Sequence, residues 1–142
     1  MGPYRKFRVT ACLAALAFVV GAIGAVTATA DDQSELTALV GKWVWDHKPT
    51  CAGCPPFTVT LSVASVSPNG GMTATYRSPA ALDGVSVRPR ATITDGKIKV
   101  ALKIGKLNYN LDYVKRTDSL RGPVEGFAPM QQIRDATFRR EK

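Results

Sequence analysis

A chain of 142 residues leaves room for one domain at most, which excludes a multidomain machine. One modest core fits, but not a core together with a large internal cavity. The formal net charge is +8, and the +5 carried by residues 31–142 favours anionic partners or surfaces, set against the plain reading of a well-solvated exterior.

The first segment sets the compartment. Arg5, Lys6 and Arg8 precede an apolar run from Val9 to Val26, and Ala28-Thr29-Ala30 then offers the small residues a signal peptidase reads. That order predicts a signal peptide over residues 1–30 and a mature domain over 31–142, secreted or periplasmic. An uncleaved anchor is the alternative, because Val9–Ala30 could nearly span a bilayer; after cleavage no membrane span is expected. Cys12 falls too early in the run for a lipoprotein cysteine. Asp31–Leu39 reads as a polar lead-in and a short helical turn, with Ser34 as N-cap and Leu36, Leu39 and Val40 on one apolar stripe.

From Gly41 the hydrophobic period becomes two. Trp43 and Trp45 share a face, and Phe57, Val59, Leu61 and Val63 alternate with Thr58, Thr60 and Ser62, as a half-buried antiparallel strand requires. Pro68-Asn69-Gly70-Gly71 predicts a hairpin that returns Met72, Ala74 and Tyr76 beside that strand. Asp95-Gly96 and Gly105-Lys106 predict two-residue turns of types I′ and II′. Together they pair Ile93 with Ile98, Ile104 with Leu107, Leu102 with Tyr109, Val100 with Leu111 and Ile98 with Tyr113. Slipping this register by one residue would turn the apolar set outward. Thr117–Arg121 reads as a further strand, Gly122–Met130 as a loop and Gln132–Arg140 as the last strand. In that strand Phe138 and Arg140 face inward together, whereas Ile133 inward would carry Arg139 with it. About eight strands in meander order, with one helical turn, predict an all-β antiparallel up-and-down barrel rather than a sandwich.

Leu-Val-Gly-Lys-Trp at 39–43, opening such a meander, resembles the calycin superfamily of lipocalins, fatty-acid-binding proteins, avidins and small bacterial relatives. The resemblance implies a short helical turn and a Gly-x-Trp on the first strand. It also implies a basic residue on the last strand, Arg140 or Arg139 here, packed over Trp43 to close one end of the barrel. Guanidinium on indole is attractive, and the spare donors satisfy nearby carbonyls. No biotin-site residues map onto this chain.

The motifs that could carry chemistry each have a plainer reading. Cys51-Ala52-Gly53-Cys54 is expected to form a local disulfide shaping the loop between the first two strands, since an exported chain is oxidised. A thioredoxin-type pair would need a helix after the first Cys, whereas Pro55-Pro56 leads into a strand. A metal site could draw on Asp46 and His47 with the two thiolates but lacks a second ligand pair, and haem attachment would need His where Pro55 stands. His47, the one histidine, has no Gly-x-Ser-x-Gly elbow to serve, so no catalytic residue and no cofactor is assigned.

Trp45, Phe57, Tyr76, Tyr109 and Tyr113 are expected to point inward, as core filling or as the lining of an apolar pocket whose phenols orient a ligand. Lys97, Lys99, Lys103 and Lys106, with Lys115 and Arg116, form a basic outer face suited to an anionic envelope component. Nucleic acid is disfavoured by the compartment and by the inward aromatics. The expected function is non-catalytic binding of a small apolar ligand or an anionic surface. The alternative is a protein-binding module such as a small barrel protease inhibitor, with Asp31–Leu36 as an extended inhibitory segment. The sequence leaves the oligomeric state open.

Overall fold

The structure, a computed structural model, describes residues 30–128 and 131–142. The signal peptide expected over 1–30 therefore lies outside the described residues, apart from Ala30. Among the described residues no helix is long and apolar enough to cross a membrane.

Among the described residues one α-helix, α1 (Ala30–Thr37), carries Asp31 and Asp32 in its first turn, where carboxylates complement the helix dipole, and one 3-10 turn spans Lys115–Thr117. The helix begins before Ser34, so that residue lies within it instead of capping it. Leu36 and the following Leu39 are buried against the sheet. The segment 31–36 is thus helical and anchored, and the extended stretch that the protease-inhibitor reading requires is not formed there.

Nine antiparallel strands follow: β1 (Gly41–His47), β2 (Phe57–Val66), β3 (Met72–Ser78), β4 (Ala81–Val87), β5 (Arg90–Thr94), β6 (Lys97–Ile104), β7 (Leu107–Val114), β8 (Ser119–Glu125) and β9 (Asp135–Arg140). They form one curled sheet, a half-barrel, in the order β4-β3-β2-β1-β9-β8-β7-β6-β5. First and last strands pair, with Trp43 opposite Arg140 and Val44 opposite Arg139. The turn-fixed registers match expectation: Ile93 faces Ile98, Leu102 faces Tyr109 and Val100 faces Leu111. Asp95 and Gly96 both have positive φ, as a type I′ turn requires.

Three segments depart from the sequence reading. β4 was not expected: it lies at a sheet edge, leaves Leu82 78% exposed, and so carries no alternating pattern. β8 runs on to Glu125 through Gly122 and Pro123, which pair with Ala136 and Asp135. β9 begins only at Asp135, so Ile133 is buried from outside the strand while Phe138 and Arg140 still share the inner face. The conflict between the two facings disappears without a bulge.

Although consecutive in the chain, β4 and β5 lie at opposite edges of the sheet. Arg88-Pro89 carries the chain between them, so the two strands act as one bent strand shared by both edges. The edges touch at a single bridge, Gly71 with Arg90. There the Ala91 N–H donates to Gly70 at 2.7 Å and the Met72 N–H to Pro89 at 2.9 Å. Trp43, Tyr109, Phe138, Leu61, Leu111 and Leu120 form the fully buried centre of the core. Each such side chain contributes about 1.5–3 kcal/mol through removal from water.

Candidate functional site

The sheet has a sealed end and an open end, and the candidate residues divide between them. At the sealed end, the Trp43 indole N–H donates to the Leu39 carbonyl at 2.9 Å. The Arg140 guanidinium lies over the indole, its carbon 4.2 Å from the ring centroid. Its Nη1 donates to Val40 at 2.8 Å, its Nη2 to Ala38 and its Nε to Asp118 at 2.6 Å. One arginine thereby ties the tail of α1, β9 and the turn before β8 together. The Tyr113 hydroxyl donates to Asp118 at 3.1 Å, and its ring meets Trp43 edge-on.

Charge follows this geometry. The Arg140 hydrogen bond, helped by Tyr113, holds the Asp118 carboxyl below its ordinary value. Asp118 in turn raises Arg140. Burial, then the neighbouring carboxylate, pushes the Tyr113 phenol up. Arg139 points the other way, exposed on the outer face opposite Val44 and Ser119, and does not meet Trp43.

At the open end lies a cleft of about 520 Å³. Its wall is Phe57, Val59, Leu107, Phe127 and Ile133. Its rim is the β1–β2 loop, where Cys51 and Cys54 sit at disulfide distance with Cα atoms 5.6 Å apart, flanked by Pro49, Pro55 and Pro56. A disulfide and three prolines restrict that loop's backbone, so the rim is preshaped. Among the described residues no Asp, Glu, Lys or Arg lines the cleft. The cleft occupies the mouth of the sheet, beside its packed centre.

Of the five aromatics expected to line a pocket, Phe57 and Tyr76 do so. Trp45 and Tyr109 lie one layer deeper. Trp45 packs on Phe57 at 5.5 Å, Phe138 at 5.7 Å and Phe127 at 6.3 Å. The Tyr76 and Tyr109 hydroxyls share a buried hydrogen bond of 2.8 Å. Burial raises both phenols, Tyr109 far above its ordinary value with Tyr76 adding to the effect, so both remain neutral donors at physiological pH. Tyr113 belongs to the sealed end and is removed from the pocket set. Phe127, Ile133 and Leu107 are wall residues that sequence reasoning missed. The available signal was a lone aromatic in a Gly/Pro segment straight after a strand.

His47 packs its ring on Phe57 at 4.9 Å and on Trp45 at 5.4 Å. Its Nε2 is buried with no hydrogen-bond partner among the described residues, a situation costing about 1–3 kcal/mol. His47→Phe keeps the ring stack and removes that cost, so it is expected to raise the melting temperature by a few degrees. A lowered melting temperature would mean that Nε2 has a partner in solution. Among the described residues no three His, Cys, Asp or Glu side chains gather to hold a metal.

On the outer face, Lys97, Lys99 and Lys103 alternate along β6 and Lys106 occupies its turn, all exposed. Lys99 stands opposite Asp112 and Lys103 opposite Asn108. Comparison of the chain with protein families, curated proteins and solved structures gives no match.

Proposed function

We propose that the chain is an exported, calycin-like binding protein, without catalytic activity, that takes a small, uncharged, largely apolar ligand at the open end of its half-barrel. The observation that carries this reading is the cleft of about 520 Å³ with an apolar wall and, among the described residues, no Asp, Glu, Lys or Arg in its lining. Ligand sites commonly occupy about 300–1,000 Å³ with a few placed polar groups. Here those groups are the His47 imidazole, the Tyr76 phenol, the Ser78 hydroxyl and the Gln131 amide. The family likeness draws support from Arg140 stacked on Trp43 at the far end, and export from the leader sequence and the disulfide-distance pair.

The test is titration with N-phenyl-1-naphthylamine, a neutral apolar fluorophore. Trp45 lies behind Phe57 and Phe127 and serves as donor for energy transfer to a dye in the cleft. Saturable dye emission excited through tryptophan is expected. Leu107→Asp, which puts an unpaired carboxylate on the wall, is expected to weaken binding about tenfold or more. A dye response that fails to saturate, or that survives Leu107→Asp in a folded protein, would sink the proposal.

A second reading is attachment to an anionic envelope surface through the lysine row of β6. It is favoured by the shared outward facing of Lys97, Lys99 and Lys103.

A further inference from the structure

The outer face of β8 and β9 carries a feature that neither the cleft nor the lysine row uses. Alternation places Thr137 and Arg139 on the outer face of β9, and Arg121 and Ser119 beside them on β8. The register sets Arg121 opposite Thr137 and Ser119 opposite Arg139. The two arginines therefore occupy diagonal cross-strand positions, within reach of a shared partner for side chains of this length. Between them is a recess of about 310 Å³ lined by Thr117, Ser119, Arg121, Thr137 and Arg139. It continues into a groove bordered by Lys48, Asp46 and Glu141.

What decides the chemistry is where the nearby carboxylates are committed. Asp46 accepts a hydrogen bond from the Thr58 hydroxyl at 2.6 Å. Glu141 pairs with Lys42 at 2.5 Å. Asp118, between Thr117 and Ser119 in the chain, is held by Arg140 and Tyr113. Asp112 stands opposite Arg121 in register but forms no ion pair with it. Arg121 and Arg139 are exposed, and neither has a carboxylate partner among the described residues. Ser119, by contrast, is only 2% exposed although it lies on the outer face, and its hydroxyl shares a 2.7 Å hydrogen bond with Thr117. The recess thus has a hydroxyl floor between two unpaired planar forks.

We infer that this recess binds a tetrahedral oxyanion, a phosphate group above all, with Arg121 and Arg139 clamping its oxygens and the Thr137 and Thr117 hydroxyls completing the site. Guanidinium forks match phosphate oxygens in pairs, and a tetrahedral group with up to two negative charges offers a pair of oxygens to each fork and balances both cations, where a carboxylate brings two oxygens and one charge to share. Lys48 at the groove border adds attraction without geometry. The inference is independent of the cleft, which lies at the open end and shares no lining residue with the recess.

The experiment is a titration of the folded protein with inorganic phosphate at constant ionic strength, read by amide shifts of residues 119–121 and 137–139, with chloride as reference. A parallel arm measures sedimentation with phosphatidylcholine vesicles containing phosphatidic acid. Saturable shifts with phosphate, or vesicle binding that phosphate competes away, are expected. Vesicle binding assigns the phosphate to a lipid headgroup, and its absence to a free ion. Arg121→Gln and Arg139→Gln are each expected to weaken the response about tenfold or more, and the double Lys variant to keep only part of it. Shifts that match those from chloride, that persist in both Gln variants, or that are fully kept by Lys would overturn the inference.

Discussion

Arg140→Ala is expected to lower the unfolding free energy by about 3 kcal/mol, read as a fall in the urea midpoint. The side chain is 26% exposed, so its partners sit between the surface and the buried limit. Its loss frees the Val40 and Ala38 carbonyls, leaves Asp118 without its cation and uncovers the Trp43 indole. Arg140→Lys keeps the charge but can neither lie flat on the indole nor reach three acceptors, and is expected to recover less than half of the loss. The acid limb adds a sign check. Asp118 titrates lower in the folded protein than its ordinary 3.8, so its contribution is present above that value and is lost as pH falls through the depressed one. The urea midpoints of wild type and Asp118→Asn are therefore expected to differ at neutral pH and to converge below about pH 3.8. With the carboxylate 46% exposed, the neutral gap is expected to stay under about 1 kcal/mol. Dye binding at the open end is expected to survive Arg140→Ala, because the cleft and the guanidinium lie at opposite ends. Unchanged stability in Arg140→Ala would show that this end is held by Trp43 packing alone.

Which residues were legible depends on the element that carries them. Facing was legible wherever alternation met a two-residue turn, as from Ile93 through Tyr109, because period and turn type leave one register. Depth along the barrel was not. Tyr109 and Tyr113 share the inner face, yet four residues of strand separate them by about 13 Å, enough to put one under the cleft and the other beside Trp43. Asp118 escaped notice because its value comes from Arg140, 22 residues away and brought close only by the β8–β9 pairing. Phe127 and Ile133 reach the wall from outside any strand, so no period marks them. β4 was invisible for a related reason. An edge strand with Leu82 and Val85 in solvent lacks the burial that produces a pattern. What regular strands carry was readable at both ends, as with Trp43 and Arg140 or Phe57 and Tyr76; what turns and loops bring in, Asp118 at one end and Phe127 and Ile133 at the other, was not.

Gly70→Ala is expected to cost about 3–5 kcal/mol and to detach the two sheet edges. Gly70 has φ +85, and a Cβ there would lie 1.9 Å from the Ala91 carbonyl oxygen. That atom belongs to backbone, so no side chain can swing aside, and relief requires moving β5 away from the β2–β3 hairpin. The movement would break the Ala91-to-Gly70 hydrogen bond, and the Gly71–Arg90 bridge and Met72-to-Pro89 bond would go with it. Amide exchange at Ala91 and Met72 is therefore expected to rise far more than at Val59 or Leu111, which lie inside the sheet. Gly96→Ala supplies the control. Its φ of +70 imposes a similar backbone penalty, about 1–2 kcal/mol, but nothing lies within 4 Å of the added Cβ. The difference between the two variants isolates the steric contribution of the closing contact. Once parted, the start of β5 and the Gly70–Met72 stretch would lose their partners, next to the β4 edge where Leu82 is already exposed. The Gly70 variant is thus also expected to aggregate where Gly96→Ala does not. Equal costs for the two variants, with protection kept at Ala91, would mean that the half-barrel holds its curl through the core alone.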